Sequence, residues 1–134
     1  MRKEQEVKRV ERGWAGHFIC SDRCKFRRNT LLEKGKVRIV VSSVGLMVHW
    51  KGPEFGFEQI GAERYFETMA FHAAYDGRYW DADVGRGVEF SSPWMIGTFD
   101  ADDVMNDQHE VVVSEIMERM KNGEFDRTRT KGKN

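Results

Sequence analysis

The stretch "RYFETMAFHAAYDGRYWDADVGRGV", residues 64–88, decides how this 134-residue chain folds. It carries two competing patterns. From Gly61 to Gly77, the residues Ala62, Tyr65, Phe66, Met69, Ala70 and Ala73 recur at helical spacing, and Gly77 would stop the helix. Yet "YDGR" is a hairpin turn signal, and "RYWDADV" alternates as a strand does. Pairing outward from Asp76-Gly77 sorts the side chains. One face collects Ala73 with Trp80, Phe71 with Ala82, Met69 with Val84 and Tyr65 with Val88, and Glu67 meets Arg86 as opposite charges. The other face collects His72 with Asp81, Ala70 with Asp83 and Thr68 with Gly85. That separation of apolar from polar pairs favours a long antiparallel hairpin over the helix.

The flanking segments extend this reading. "GHFIC" and "CKFRRNTLL" bracket a short Ser-Asp-Arg loop. If Cys20 faces Cys24 across it, Phe18 pairs with Phe26 on the cysteine face, while His17 faces Arg27 and Ile19 faces Lys25 on the other. "KVRIVVSSVGLMVHW", residues 36–50, is rich in Val and Ile and reads as one strand, or two with a break near Ser42–Gly45. "VEFSS" and "WMIGTF" are candidates to close the sheet. The last element reads as a helix. Asp100 suits its N-cap, and Asp102 and Asp103 suit its positive end. Val104, Val112, Ile116 and Met120 form an apolar stripe, widened by Met105, Val113 and Met117, and Gly123 fits just past the end. The expected fold is α+β: a mostly antiparallel β-sheet with a long C-terminal helix packed on one face. One domain is expected over residues 12–123, with a charged tail over 1–11 and a flexible polar tail over 124–134.

Composition sets outer bounds. The chain is 40% hydrophobic and 33% charged, with zero formal net charge. No run of about 18 apolar residues occurs, so no membrane helix is expected. The opening MRKEQEVKRVERG is charged and has no apolar core of a signal peptide. With only two cysteines, this suits a reducing cytoplasm. The charges are unevenly spread: residues 23–38 hold seven basic groups against one acidic, and residues 53–107 hold twelve acidic against three basic. Such a bipolar chain suits a nucleotide, nucleic-acid or acidic protein partner, or neutralises itself within the fold or across a homo-oligomer.

The leading ligand-binding candidates are Arg23, Lys25, Arg27 and Arg28, with Arg38 from the next strand. Arginine grips phosphate and carboxylate through two parallel hydrogen bonds. Trp14, Phe26 and Trp50 would supply stacking on a base. The plainer alternative is an edge strand kept from aggregating by its charges. Asn106 and His109, on adjacent turns of the last helix, either point at a ligand or line its polar side. His17, Cys20 and Cys24 are the metal alternative. Zinc sites usually draw on two short-spaced ligand pairs, and in the hairpin register His17 points away from the cysteines, so two reduced, buried cysteines are preferred and no metal is expected. The catalytic alternatives are Cys24, whose basic neighbours would lower its pKa, and His72 with Asp81, where Asp83 shares the face. No phosphate loop, nucleophile elbow, zinc-protease or dinucleotide motif is present, so no cofactor is expected and binding is favoured over catalysis.

The runs "RGWAGHFICSDRCKFRRNTLL", "VRIVVSSVGLM", "RYFETMAF" and "YWDADV" resemble those of small accessory proteins encoded in bacteriophage and prophage genomes, over roughly residues 12–115. No motif of known chemistry carries the resemblance, and no functional residue follows from it. It implies expression in a bacterial host cytoplasm and a counter-defence role, as an anti-CRISPR inhibitor or a trap for a nucleotide immune signal. The partner would then be a host defence protein or a nucleotide. A small hydrolase or transferase and a self-assembling structural protein are the alternatives.

Overall fold

A computed structural model describes residues 6–12, 24–51, 54–58, 66–91 and 102–126 of the chain. Six strands form one sheet: β1 (Lys8–Glu11), β2 (Cys24–Lys34), β3 (Val37–Lys51), β4 (Glu54–Glu58), β5 (Phe66–Tyr75) and β6 (Trp80–Val88). Among the described residues one helix follows, α1 (Asp102–Lys121). The sheet order is β1-β2-β3-β5-β6, and β4 pairs with the far end of β3. Every described pairing is antiparallel. The α+β architecture expected from the sequence is therefore the one found, with α1 packed on one face. No described helix is long and apolar enough to cross a membrane.

The stretch 64–88 is a hairpin, not a helix, but its register differs from the simple one. Trp80 faces Tyr75 and Ala82 faces Ala73, where the two-residue turn had Trp80 opposite Ala73. The reason is local. The Asp76 carboxylate accepts from the N–H groups of Arg78 and Tyr79 at 2.9 and 3.0 Å, which stabilises a longer turn. Those bonds also hold the Asp76 carboxyl below its ordinary pKa, the Tyr79 N–H contributing most. Gly77 takes φ +100° there, a value that glycine alone adopts readily. Beyond Ala82 the ladder slips again, so that Phe71 faces Gly87 and Ala70 faces Val88. Glu67 and Arg86 are thus not cross-strand partners in this register.

Three boundaries also move. β3 runs unbroken through Ser42–Gly45. Lys8–Glu11, expected in a tail, is an edge strand paired with Leu31 and its neighbours. Past Gly123, Phe125 is buried rather than part of a loose tail. "VEFSS" contributes only Val88 to β6. The segments "GHFIC" and "WMIGTF", the Asp100 cap and the Cys20–Cys24 pairing lie outside the described residues.

The core on the α1 side joins Leu32, Val37, Ile39, Val41, Ala70 and Val88 of the sheet to Val112, Val113, Ile116, Met120 and Phe125. Val104, expected in the helix stripe, is 42% exposed, while Gln108 and His109 turn inward and are buried. His109 is satisfied there. Its Nε2 meets Thr30 Oγ1 and its Nδ1 meets Ser43 Oγ, both at 2.8 Å. Ser43 Oγ in turn lies 2.6 Å from Thr68 Oγ1, and the Thr30 hydroxyl donates to Glu11 at 2.8 Å. One residue each from β1, β2, β3, β5 and α1 is thereby strung together. Above this string lies a closed square of charge. Arg9 holds Glu110 through two bonds at 3.0 and 2.9 Å and Glu11 at 2.7 Å. Arg28 holds Glu11 at 2.7 Å and Glu110 at 2.8 Å.

The opposite face buries Leu31, Val40 and Ala73, with Val10, Trp80 and Ala82 against them. Arg12, just past β1, donates from its guanidinium to the Trp80 carbonyl of β6. In a flat sheet those two outer strands would stand about 19 Å apart, four spacings of roughly 4.8 Å. The sheet must therefore curl away from α1 far enough for the Arg12 side chain to span its edges.

α1 ends in a Schellman turn. The Gly123 N–H reaches the Met120 carbonyl at 3.0 Å and the Glu124 N–H reaches that of Arg119 at 3.1 Å. An apolar contact usually seals such an end; here Arg119 grips the Glu124 carboxylate at 2.5 Å. The same guanidinium lies 5.0 Å over the Phe125 ring. Gly123 sits at φ +80°, and a Cβ there would stand 3.0 Å from the Asp126 carboxylate. Gly123→Ala should therefore lower stability by about 1–2 kcal/mol. Urea unfolding would read the change, and an unaltered midpoint would mean that this turn does not anchor Phe125.

Candidate functional site

The curl brings together residues that are far apart in sequence. Arg38 of β3 lies 4.2 Å over the ring of Trp80. Trp80 in turn meets Tyr75 at 5.2 Å, tilted by 53°. Tyr79 lies between two guanidinium groups, Arg12 at 5.8 Å and Arg78 at 5.6 Å. Three aromatics and three arginines thus form one corner at the β5–β6 turn. Tyr75 is 43% exposed there, and Arg78 is exposed. Guanidinium groups over aromatic faces are held by the ring quadrupole, and such pairs recur where proteins bind flat or anionic ligands.

Each member is positioned by the backbone below it. Arg38 is steadied by Glu33 at 2.8 Å, its direct neighbour across β2–β3. Arg12 donates to Asn29 Oδ1 at 3.2 and 2.9 Å as well as to the Trp80 carbonyl. Asp81 adds a distant carboxylate at 3.9 Å. Asn29 is fully buried, and its Nδ2 has no hydrogen-bond partner among the described residues. The donors of Arg12 settle which end of that amide faces which way.

The sequence candidates are scattered by comparison. Arg27 and Arg28 project to opposite faces of β2, as consecutive strand residues must. Arg28 is taken up in the charge square on the α1 side. Arg27 stands opposite Val44, while Arg38 stands opposite Glu33. Six residues of strand, about 20 Å, separate those positions, so the two do not form one patch. Lys25 and Cys24 lie at the start of β2 and Trp50 near the end of β3. Arg23, Trp14, His17 and Cys20 fall outside the described residues. Asn106 is half-buried on α1, and His109 is core rather than surface.

The catalytic alternatives also come apart. Asp81 pairs with Ala74, not His72. His72 stacks edgewise on Phe125 at 5.8 Å. Its pKa is lowered, first by burial and then by the Arg86 charge, with Asp83 opposing. Among the described residues no three His, Cys, Asp or Glu side chains gather as a metal-holding group. An open hollow of about 480 Å³ lies elsewhere, beside the β5–β6 irregularity, lined by Met69, Ala70, Gly87, Val88, Glu89 and Phe90. Its described lining carries a single ionisable group, so the corner has the richer chemistry.

Sequence reasoning missed Arg12, Tyr75, Arg78 and Tyr79. The signal was present in "YDGRYW", where three aromatics and an arginine crowd a turn. Arg12→Lys keeps the charge but cannot reach Asn29 and Trp80 with the same fork of donors, so it should cost about 1–2 kcal/mol. Thermal unfolding of that variant would check this, and equal stability would mean that Arg12 does not bridge the sheet edges. No family model, no curated protein and no solved structure matches the chain, so the corner is read from its own chemistry.

Proposed function

We propose that the chain is a non-enzymatic binding protein that acts by occupancy, and that its ligand is an anion bearing flat rings, a nucleotide being the simplest. The observation that carries this is the stack of Arg38 on Trp80 beside the half-exposed Tyr75. A base laid on Tyr75 would extend the stack, and Arg78 at the tip would meet a phosphate. Lys8 and Lys36 add positive charge at the same end of the sheet, around Glu33 and Arg38.

Binding without turnover is supported by where the reactive groups sit. Of the two histidines whose side chains are described, His109 is fully buried and His72 is packed against Phe125. Among the described residues neither meets a nucleophile open to solvent. Ser43 does hydrogen-bond His109, but both are sealed from substrate. Sequestering a nucleotide immune signal is the setting in which occupancy alone would suffice, and it is the counter-defence role that the phage resemblance implies.

Titration calorimetry against a panel of mono-, di- and cyclic nucleotides tests the proposal. Tyr75→Ala and Arg78→Glu should each weaken binding about tenfold, the worth of one stacked base or one phosphate contact. Arg27→Glu should leave it unchanged. Binding that survives both corner substitutions would overturn the assignment. Preference for single-stranded nucleic acid over every nucleotide would move the ligand to that class, and nucleotide turnover would replace binding by catalysis.

A further inference from the structure

We propose that the buried string Thr68–Ser43–His109–Thr30–Glu11 is a one-way hydrogen-bond relay that latches α1 to the sheet and is released by acid. It goes beyond the binding proposal and stands whether or not the corner takes a nucleotide. The direction of every bond follows from one carboxylate. Glu11 sits between Arg9 and Arg28, so it is ionised and only accepts. Thr30 therefore gives its single hydroxyl proton to Glu11 and must accept from His109 Nε2. A neutral imidazole protonated at Nε2 has a bare Nδ1, which accepts from the Ser43 hydroxyl. Ser43, its proton spent, accepts from Thr68. With the imidazole neutral, no other assignment satisfies all five groups.

All of these groups except Glu11 are buried: His109 and Ser43 completely, Thr30 completely and Thr68 nearly so. The charged groups facing the imidazole are Arg9 and Glu11 from β1, Arg28 from β2 and Glu110 from α1 itself. β3 and β5 offer it only hydroxyls. Two positive and two negative charges cancel, so an added proton on the imidazole finds no unspent counter-charge. Burial first, and the Arg28 charge second, hold the His109 pKa down at about 4.

Acid places the second proton on Nδ1. Two donors then face each other, Nδ1–H and the Ser43 hydroxyl, and both Ser43 and Thr68 must turn to relieve the clash. Because the folded pKa lies below the unfolded one of roughly 6.5, the folded chain binds fewer protons between the two values. Stability is full above that window and falls as pH drops through it to about 4. His109 alone should raise the unfolding constant on the order of 50-fold between pH 7 and 4.5.

Two measurements on the full chain test the relay. Long-range proton–nitrogen spectra at pH 7 should show His109 neutral and protonated on Nε2; an Nδ1–H tautomer or an imidazolium would overturn the direction. Unfolding measured from pH 7 to 4.5 should be about 50-fold less acid-sensitive in His109→Gln, whose amide keeps one donor and one acceptor but does not titrate. Equal acid sensitivity in variant and parent would overturn the latch. Should the variant not fold, amide exchange in α1 of the parent chain, corrected for intrinsic rates, reads the same quantity. Protection should fall about 50-fold over that interval, and unchanged protection would refute the proposal.

Discussion

A polar ring placed in an apolar interface must have both nitrogens satisfied, or it costs more than the burial around it returns. His109 meets that demand only if three strands are in one register. Ser43 of β3 stands directly opposite Thr68 of β5, and Thr30 of β2 stands opposite Val41, two residues along β3 from Ser43. A slip of one residue in β2 or β3 would swing its hydroxyl to the opposite face and leave one imidazole nitrogen unpaired, and a slip in β5 would take Thr68 from Ser43. The apolar contacts around it are less particular, because Val37, Ile39 and Val41 would each accept several neighbours. The hydroxyl row thus contributes specificity where the aliphatic side chains contribute most of the driving force.

Above that row, the charge square makes the same helix position favourable for a different reason. Single exposed ion pairs are worth little, but here two arginines and two carboxylates close on themselves. Glu110 is held near pKa 2, chiefly by the Arg9 hydrogen bonds. Burial would raise the Glu11 pKa, and bonds from Arg9, Arg28 and Thr30 outweigh it, leaving it lowered. Similar pairings use up Lys34 with Asp126 and Arg119 with Glu124. Within the basic segment, Arg28 is thus neutralised in part by Glu110 and Lys34 by Asp126, the latter 92 residues away.

How far the sequence discloses the fold depends on the kind of information each residue carries. The hairpin over 64–88 was legible because alternation needs only neighbouring residues to be seen. Its register was not, since the Asp76 turn bonds act on backbone N–H groups that leave no pattern in the side chains. Ser42 and Ser43 suggested a break in β3, which runs on through both; Ser43 is instead a polar partner of the buried imidazole. Val104 suited the helix stripe by its apolar side chain and His109 did not, yet packing reversed them. The corner was least legible. Arg12, Arg38 and Trp80 meet only because the sheet curls, and curl is a property of the whole sheet rather than of any segment.

The slip between β5 and β6 has its own consequence. Between the Ala73–Ala82 and Phe71–Gly87 pairs, the residues Asp83 to Arg86 answer a single residue, His72. β6 ends the order of the described sheet. A straight outer strand would present a regular row of backbone donors and acceptors to any passing chain. Here the row is interrupted at mid-length, and the surplus residues carry two charges and a glycine. Another strand that tried to add there would lose its ladder after a few bonds. The irregularity that spoils the hairpin's symmetry therefore also makes this described edge a poor template for a further strand.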